Sequence, residues 1–317
     1  MSLRRFGVLV VAVVASLAVG APPAFGAQSA GENGRIAFAS DRRAGEDLDI
    51  WSMRPNGGNA VDLTADSEAD EFGPSWRPDG RKVAFMSNRV MATNPEGDFE
   101  LFLMNADGSG LRQLTANGFD DEFPSWSPDG RKLVFQRDFD PVVGQVDYDL
   151  FTMKADGTHQ RNLTRSPGVN DQDADWSPTG GRIAFASDRD GDLEVYTMRP
   201  DGARVRQLTV NEGPFDGFPD WSPDGRRIAF STDRDENFEI YSMRANGSDQ
   251  TRLTFHEGFD FGPAWSPDGR RIAFSADRDG NFEVYTMRAD GSGQVNRTRH
   301  PGVDIQPDWQ PLQERHH

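Results

Sequence analysis

The sequence predicts an all-β protein: a six-bladed β-propeller of four-stranded antiparallel blades, closed into a ring when the C-terminal strand joins the first blade. Three observations lead to this fold class. A Trp-Ser-Pro-Asp-Gly motif, with variants, recurs every 44 to 50 residues, and four short runs rich in β-branched and aromatic residues fill each interval. An Asn-Gly or Asp-Gly pair also stands at the same place in every interval. A repeat of this length with four strands is typical of a propeller blade and not of a helical solenoid.

The tryptophan motif marks the same point in each repeat. Its copies stand at Trp76, Trp126, Trp176, Trp221 and Trp265, and a truncated copy follows at Trp309. In the last full copy the pattern of apolar runs and turn residues predicts strand A at 262–265, strand B at 271–275, strand C at 282–287 and strand D at 294–298.

The Asn-Gly and Asp-Gly pairs stand between the predicted strands C and D. Because such pairs favour the positive φ angles of a two-residue hairpin, we expect a tight C–D turn in all six repeats. The pairs are Asn56-Gly57, Asp107-Gly108, Asp156-Gly157, Asp201-Gly202, Asn246-Gly247 and Asp290-Gly291.

The two ends of the repeat region indicate how the ring closes. Residues 34–38 read as a strand B with no strand A before it, and residues 307–309 as a strand A with no strand B after it. We therefore expect the last strand to complete the first blade and cover both open edges. The predicted organisation is a signal peptide (1–26), a lead (27–33), one propeller (34–311) and a tail (312–317). The predicted blades are 34–65 with 305–311, 72–116, 122–165, 172–210, 217–255 and 261–299.

The N-terminal residues have the pattern of a secretory signal. Arg4 and Arg5 precede an apolar run at 8–19, and Ala24-Phe25-Gly26 offers small residues for cleavage after Gly26. A membrane anchor is the alternative, but the run is short for a bilayer span. The chain has no cysteine, which excludes disulfides and lipidation of an N-terminal cysteine. We expect an exported, soluble protein of the periplasm or the extracellular space that is not inserted in a membrane after cleavage.

The composition is strongly acidic, with 51 Asp and Glu against 34 Lys and Arg and a formal net charge of −17. A field of this sign repels phosphate backbones, so we expect no nucleic-acid partner. It is compatible with cations and with basic partners.

The run WSPDGRRIAFSADRDGNFEVYTMRADGSG, which begins at Trp265, resembles the WD-like repeat of TolB-type propellers. It is also similar to the propellers of prolyl-oligopeptidase-like peptidases and of the tricorn protease. The resemblance implies the propeller fold over essentially the whole mature chain and is much less specific for function. TolB itself carries an extra α/β domain before its propeller, whereas the first blade here directly follows the predicted signal. We therefore expect a role other than that of TolB in the Tol–Pal system.

Carboxylates repeat five positions before each strand-A tryptophan, and we expect them to form an acidic ring at the channel mouth. They are Glu71, Asp121, Asp171, Asp216, Asp260 and Asp304. Most B–C connections begin with Asp-Arg or Asn-Arg, and every strand C opens with an acid. The structural interpretation is a repeated Arg–carboxylate network that pins neighbouring blades together. The functional alternatives are a channel-bound cation such as calcium, or catalysis by paired carboxylates.

Two neighbouring B–C connections, in blades 2 and 3, are longer than the others and carry apolar residues. Because both lie on the face that also holds the D–A connections, they predict a partner-binding ridge. The candidate residues are Val90, Met91, Asn94, Pro95, Phe139, Pro141, Val142 and Val143. The alternative is an insertion that surface hairpins tolerate at little cost.

The sequence favours a binding scaffold over an enzyme. It has no cysteine and no Gly-x-Ser-x-Gly motif, and its histidines are scattered. We predict a monomer without a cofactor whose partner is a protein or an envelope polymer. One alternative is a carbohydrate-active hydrolase or lyase that uses carboxylates at the channel mouth, and another is a propeller that binds a cation or a small ligand. An acid on the loop face without an arginine partner and with a raised pKa would favour the enzyme.

Overall fold

The computed structural model describes residues 33–43, 47–65, 67–139 and 146–311. The predicted signal peptide, the predicted tail and candidate residues Pro141, Val142 and Val143 lie outside the described residues. None of the described residues belongs to a helix of the length and apolar character that crossing a membrane requires.

The described residues form six four-stranded antiparallel sheets, which confirms the predicted fold class. The strands of blades 1 to 3 are β24 (Asp304–Trp309), β1 (Ile36–Ser40), β2 (Asp49–Met53) and β3 (Val61–Asp62); β4 (Glu71–Trp76), β5 (Lys82–Ser87), β6 (Glu100–Asn105) and β7 (Arg112–Gln113); and β8 (Asp121–Trp126), β9 (Lys132–Asp138), β10 (Tyr148–Lys154) and β11 (Arg161–Asn162). Those of blades 4 to 6 are β12 (Asp171–Trp176), β13 (Ile183–Ser187), β14 (Glu194–Met198) and β15 (Arg206–Gln207); β16 (Asp216–Trp221), β17 (Arg227–Thr232), β18 (Glu239–Arg244) and β19 (Thr251–Arg252); and β20 (Asp260–Trp265), β21 (Arg271–Ala276), β22 (Glu283–Arg288) and β23 (Val295–Asn296).

The ring closes as predicted, because β24 is the strand A of blade 1. It pairs with β1 in antiparallel register, with Ile36 opposite Trp309 and Ser40 opposite Asp304. The contact continues past the strand, where the Gln310 amide donates to the Arg35 carbonyl at 2.7 Å. Pairing the two ends of the described propeller removes two open sheet edges.

Strand D is shorter than predicted, with only two residues in every blade. In blade 6 the expected strand ran to Thr298, but β23 ends at Asn296. The Val284 amide donates to the Thr298 side-chain hydroxyl at 3.0 Å, and the Thr298 amide donates to the Asn296 side chain. The threonine hydroxyl thus takes the place of the next main-chain hydrogen bond between strands C and D, so the chain can turn toward the following blade.

The C–D turns differ from the predicted two-residue hairpin. In blade 4 the Gly202 amide donates to the Arg199 carbonyl and the Arg199 amide to the Ala203 carbonyl, which makes a three-residue loop. Only the glycine has a positive φ, at 83°. This is the type I turn followed by a left-handed residue that is common in hairpins. A Cβ on Gly202 would also lie 2.4 Å from the Leu163 carbonyl oxygen of blade 3, so close packing between blades requires glycine as well.

The core lies between the blades. Each strand B contributes a completely buried phenylalanine, and each strand C contributes a buried methionine. Strand A is the innermost strand and carries a β-bulge at its third residue, which has φ between 47° and 61° in every blade. The bulge bends strand A and redirects its side chains around the channel.

Candidate functional site

The six carboxylates of the predicted acidic ring are all completely buried. Each is the first residue of a strand A, and each forms an ion pair with an arginine of its own blade, which lies in the B–C connection in five blades and near the end of strand B in blade 3. The pairs are Arg42–Asp304, Arg89–Glu71, Arg137–Asp121, Arg189–Asp171, Arg234–Asp216 and Arg278–Asp260. The separations are 2.5 to 2.9 Å in five of the blades. These residues therefore join strand A to the B–C connection, or in blade 3 to strand B, within a blade rather than presenting free carboxylates at the channel mouth.

Aromatic rings hold the arginines of these pairs in place. In blade 4 the Arg189 guanidinium lies 5.3 Å from the centroid of Phe185 and 5.0 Å from that of Tyr196. Its Nη2 is 2.6 Å from an Asp171 oxygen. A planar guanidinium can stack on two rings while binding a carboxylate at its edge, which a lysine ammonium cannot do.

A second carboxylate, the acid that opens strand C, meets the ring carboxylate of the next blade. Glu283 of blade 6 shares a hydrogen bond with Asp304 of blade 1, and it accepts the His300 amide at 2.7 Å. Burial, followed by the nearby Asp304 charge, raises the pKa of Glu283 to about 7. The same pairing raises the pKa of Glu194 beside Asp216 to about 7, again mainly through burial. Glu283 and Glu194 thus retain a proton up to about neutral pH.

Three further aspartates line the inner strands and were missed in the sequence analysis. Asp175, Asp220 and Asp308 directly precede the strand-A tryptophan in blades 4, 5 and 1. Each accepts the amide of the corresponding tryptophan in the next blade, at 2.6 to 2.9 Å. Burial raises the pKa of Asp175 to about 6 and that of Asp308 to about 7. The sequence signal for these aspartates was the residue before the tryptophan, which varies between blades in an otherwise regular motif.

These inner aspartates do not form a recognisable metal centre. Across residues 33–43, 47–65, 67–139 and 146–311, no three or more His, Asp or Glu side chains are placed so that they could hold a metal ion.

Two acids on blades 3 and 4 form no ion pair with Arg or Lys among the described residues. Glu122, the second residue of β8, accepts hydrogen bonds from the Tyr148 hydroxyl and from Gln136 Nε2 at 3.1 Å. Gln136 Oε1 in turn accepts the Asp173 amide at 2.9 Å, which links the two acids. Burial raises the pKa of Glu122 to about 8 and that of Asp173 to about 7. The sequence signal for Glu122 and Asp173 was an acid at a strand-A position where other blades carry apolar residues, Gly or Gln.

The long connection of blade 2 exposes three predicted partner-binding residues. Val90 is 73% exposed and Met91 is 40% exposed, and Pro95 is also exposed. Asn94 is instead completely buried. Asn94 and Met91 exchange backbone hydrogen bonds at 3.0 and 3.1 Å, so this connection has an ordered hairpin tip.

The described part of the blade 3 connection carries Phe139, which is partly buried. Its ring packs edge-on against Phe119 at 5.1 Å and lies 5.9 Å from Phe151. Phe119, in the D–A connection that leads into blade 3, is 40% exposed and was missed in the sequence analysis. The pattern Gly-Phe-Asp before strand A, which recurs at Phe259, was the available signal.

The comparisons with known proteins agree with this architecture. Residues 214–315 match the family model of the TolB beta propeller domain. TolB from Acinetobacter baumannii is 22% identical with a TM-score of 0.75, and the match covers 88% of this chain and 67% of that chain. A putative TolB from Agrobacterium tumefaciens is 19% identical with a TM-score of 0.64, covering 89% and 100%.

Other comparisons extend beyond TolB. A chain of a nidogen/laminin complex is 13% identical with a TM-score of 0.69, covering 88% of this chain and 98% of that one. No curated protein matches the sequence. The resemblance noted at Trp265 is confirmed: residues 214–315 carry the repeat of the TolB propeller domain, and the described residues share the six-bladed propeller fold of the TolB structures.

Proposed function

We propose that the protein is an exported, monomeric scaffold that binds a protein or an envelope polymer through its loop face, the surface formed by the D–A and B–C connections. One observation carries the proposal. Among the described residues, five of the eight exposed large apolar side chains lie on this face: Val90, Met91, Phe119, Val210 and Phe255. Val210 and Phe255 are 80% and 72% exposed.

Such exposure favours a binding role because apolar side chains on a rigid surface lose unfavourable hydration when a partner covers them. The loops that carry them are anchored at their bases by the Arg–carboxylate pairs, so the partner meets a largely preformed surface. Proteins of similar fold include a chain from a nidogen/laminin complex, which supports protein binding as a use of the fold. The predicted signal peptide at 1–26 supports export, and the acidic composition favours a basic or neutral partner.

The test is affinity capture from the native cell envelope with purified protein starting at Ala27. A triple variant replaces three loop-face residues with serine: Val90, Met91 and Phe119. A matched control replaces three exposed apolar residues at the outer strands: Val61, which opens β3, and Leu111 and Val205, which precede β7 and β15. We expect a specific partner to be captured by the wild type and the control but lost from the loop-face variant. Equal capture by all three folded proteins would contradict the proposal.

A carbohydrate-active hydrolase or lyase is the second candidate, and Glu122 is the observation that favours it. Glu122 has no arginine partner among the described residues, and its raised pKa keeps a proton on the carboxyl group near neutral pH. A protonated carboxylic acid is what glycoside cleavage requires of its general acid. The test is turnover of a glycan library by the wild type and by Glu122→Gln. Turnover that Glu122→Gln abolishes while capture is retained would establish this activity, and no turnover by the wild type would eliminate it.

A further inference from the structure

The residue two places before the strand-C acid normally binds the D–A connection that follows. In blades 3 and 4, Asp147 and Asp192 accept the amides of Gly168 and Gly213, at 3.1 and 2.6 Å. In blades 5 and 6 an asparagine at this position donates instead to a main-chain carbonyl. These contacts are Asn237 to Gly258 at 2.8 Å and Asn281 to Gly302 at 2.6 Å.

Blade 2 breaks this pattern at Asp98. This residue is only 7% exposed, yet neither carboxylate oxygen accepts a hydrogen bond from another described residue. Asn94, in the same B–C connection, is 0% exposed, and its Oδ1 is also without a donor among the described residues. Asn94 Nδ2 donates to the main-chain carbonyls of Asp98 at 2.8 Å and Arg89 at 3.3 Å. One loop therefore buries three acceptor oxygens that receive no hydrogen bond from another residue in the described part of the chain.

Buried acceptors without donors are costly, and in native proteins such groups are satisfied by ordered water or by an ion. The charges around Asp98 favour an ion. Glu96, Asp120 and Asp121 all act on its carboxylate with negative charge. The arginines of the ion pairs in blades 2 and 3 are engaged elsewhere, since Arg137 binds Asp121 and Arg89 binds Glu71. A cation relieves both the missing hydrogen bonds and the repulsion, whereas water relieves only the first.

We propose that the B–C connection of blade 2 binds a calcium ion through the Asp98 carboxylate and Asn94 Oδ1, with main-chain carbonyls and water completing the coordination. Calcium accepts carboxylate, carboxamide and main-chain oxygens in flexible geometry, and no nitrogen or sulfur ligand is needed. With a single carboxylate ligand, the dissociation constant falls on the order of 10⁻⁴ to 10⁻³ M, as in extracellular calcium modules.

The stretch 188–194 of blade 4 shows why acid spacing alone does not define such a site. It has acids at alternate positions, but each has a protein partner. Asp188 accepts the Asn170 amide, Asp190 accepts Gln207 Nε2, and Asp192 accepts the Gly213 amide. No oxygen-rich cavity is left to fill there, so Asp192 serves as a matched control for Asp98.

The site lies within the connection that exposes Val90 and Met91. Gly97, next to Asp98, packs so closely on Val90 that a Cβ would lie 3.2 Å from Val90 Cγ2. A cation on Asp98 would therefore stabilise the conformation in which these apolar side chains are presented. Calcium binding itself does not depend on the proposed scaffold function, and its test involves no partner.

The experiment compares thermal unfolding of three proteins, the wild type, Asp98→Asn and Asp192→Asn, in EGTA and in calcium at constant ionic strength. At about 100 times the dissociation constant, calcium should raise the Tm of the wild type and of Asp192→Asn by about 5 °C. The Tm of Asp98→Asn should not respond to calcium. In EGTA, Asp98→Asn should be at least as stable as the wild type, because it removes a buried unpaired charge.

A second measurement on the wild type avoids dependence on any variant. Crystals soaked in terbium should show an anomalous peak within coordination distance of Asp98 Oδ1 or Oδ2. An equal calcium response in all three proteins, no response in the wild type, or a terbium peak elsewhere only would overturn the proposal and leave water as the occupant.

Discussion

The raised pKa of Glu283, at the junction between blades 6 and 1, predicts that this protein loses stability as the pH rises toward neutrality. Below about pH 4.5, Glu283 is neutral in both the folded and the unfolded chain. As the pH rises to about 7, the carboxyl group ionises in the unfolded chain but stays protonated in the folded protein. The folded state then binds more protons, so the free energy of unfolding decreases with pH over this interval and is constant above it.

The size of the effect follows from the pKa change. Moving the pKa of Glu283 from 4.5 to about 7 corresponds to about 3 kcal/mol. Screening by solvent at the junction lowers this to about 2 kcal/mol. Replacing Glu283 with glutamine keeps an oxygen for the His300 amide, which donates to Glu283 Oε1 at 2.7 Å, but carries no charge at any pH. We therefore expect Glu283→Gln to match the wild type at about pH 4 and to exceed its stability by about 2 kcal/mol at about pH 8.

The assay is urea denaturation followed by tryptophan fluorescence across this pH range. The control is Asp290→Asn in an exposed C–D turn. Hydrogen bonds from the Ser292 hydroxyl and amide lower the pKa of Asp290. Its contribution to stability is present above the ordinary aspartate pKa and is lost only as the pH falls through the lowered value, so this variant should gain nothing at pH 8. Parallel curves for Glu283→Gln and the wild type from pH 4 to 8 would refute the reasoning.

Two further substitutions test the contacts that hold the blades. Arg234→Met leaves the completely buried Asp216 without its guanidinium and should cost about 3 to 5 kcal/mol in urea denaturation, whereas Arg226→Met, at an exposed pair, should cost less than about 0.5 kcal/mol. Similar losses in both variants would contradict the importance of burial. Gly202→Ala should destabilise by about 2 kcal/mol or more, because φ is 83° and the new Cβ would clash with a carbonyl of the neighbouring blade. Gly181→Ala, where a Cβ has ordinary space, should be nearly neutral, and equal effects would show that the close approach is not limiting.

The repeat made most of the architecture predictable. The spacing of the tryptophan motif indicated six blades, and the missing strands at the two ends indicated closure by β24. Turn length was less predictable. The pair Asp201-Gly202 is compatible with two hairpin geometries, and the local residues do not distinguish the three-residue loop that the structure has. Likewise, strand D was predicted too long because a local pattern does not show that Thr298 replaces a backbone rung with its hydroxyl.

The candidate site was only partly predictable, because a carboxylate's chemistry depends on its surroundings. The repeated acids were recognised from sequence, but their complete burial follows from the position of strand A between two neighbours. Asp98 and Asp192 occupy equivalent positions and carry the same side chain, yet among the described residues Asp192 receives a hydrogen bond from another residue and Asp98 does not. Periodic residue types therefore determined the number of blades and the closure of the ring. The tertiary structure alone decided which acids are paired, protonated or left without a partner, because burial and hydrogen bonding arise between segments far apart in the chain.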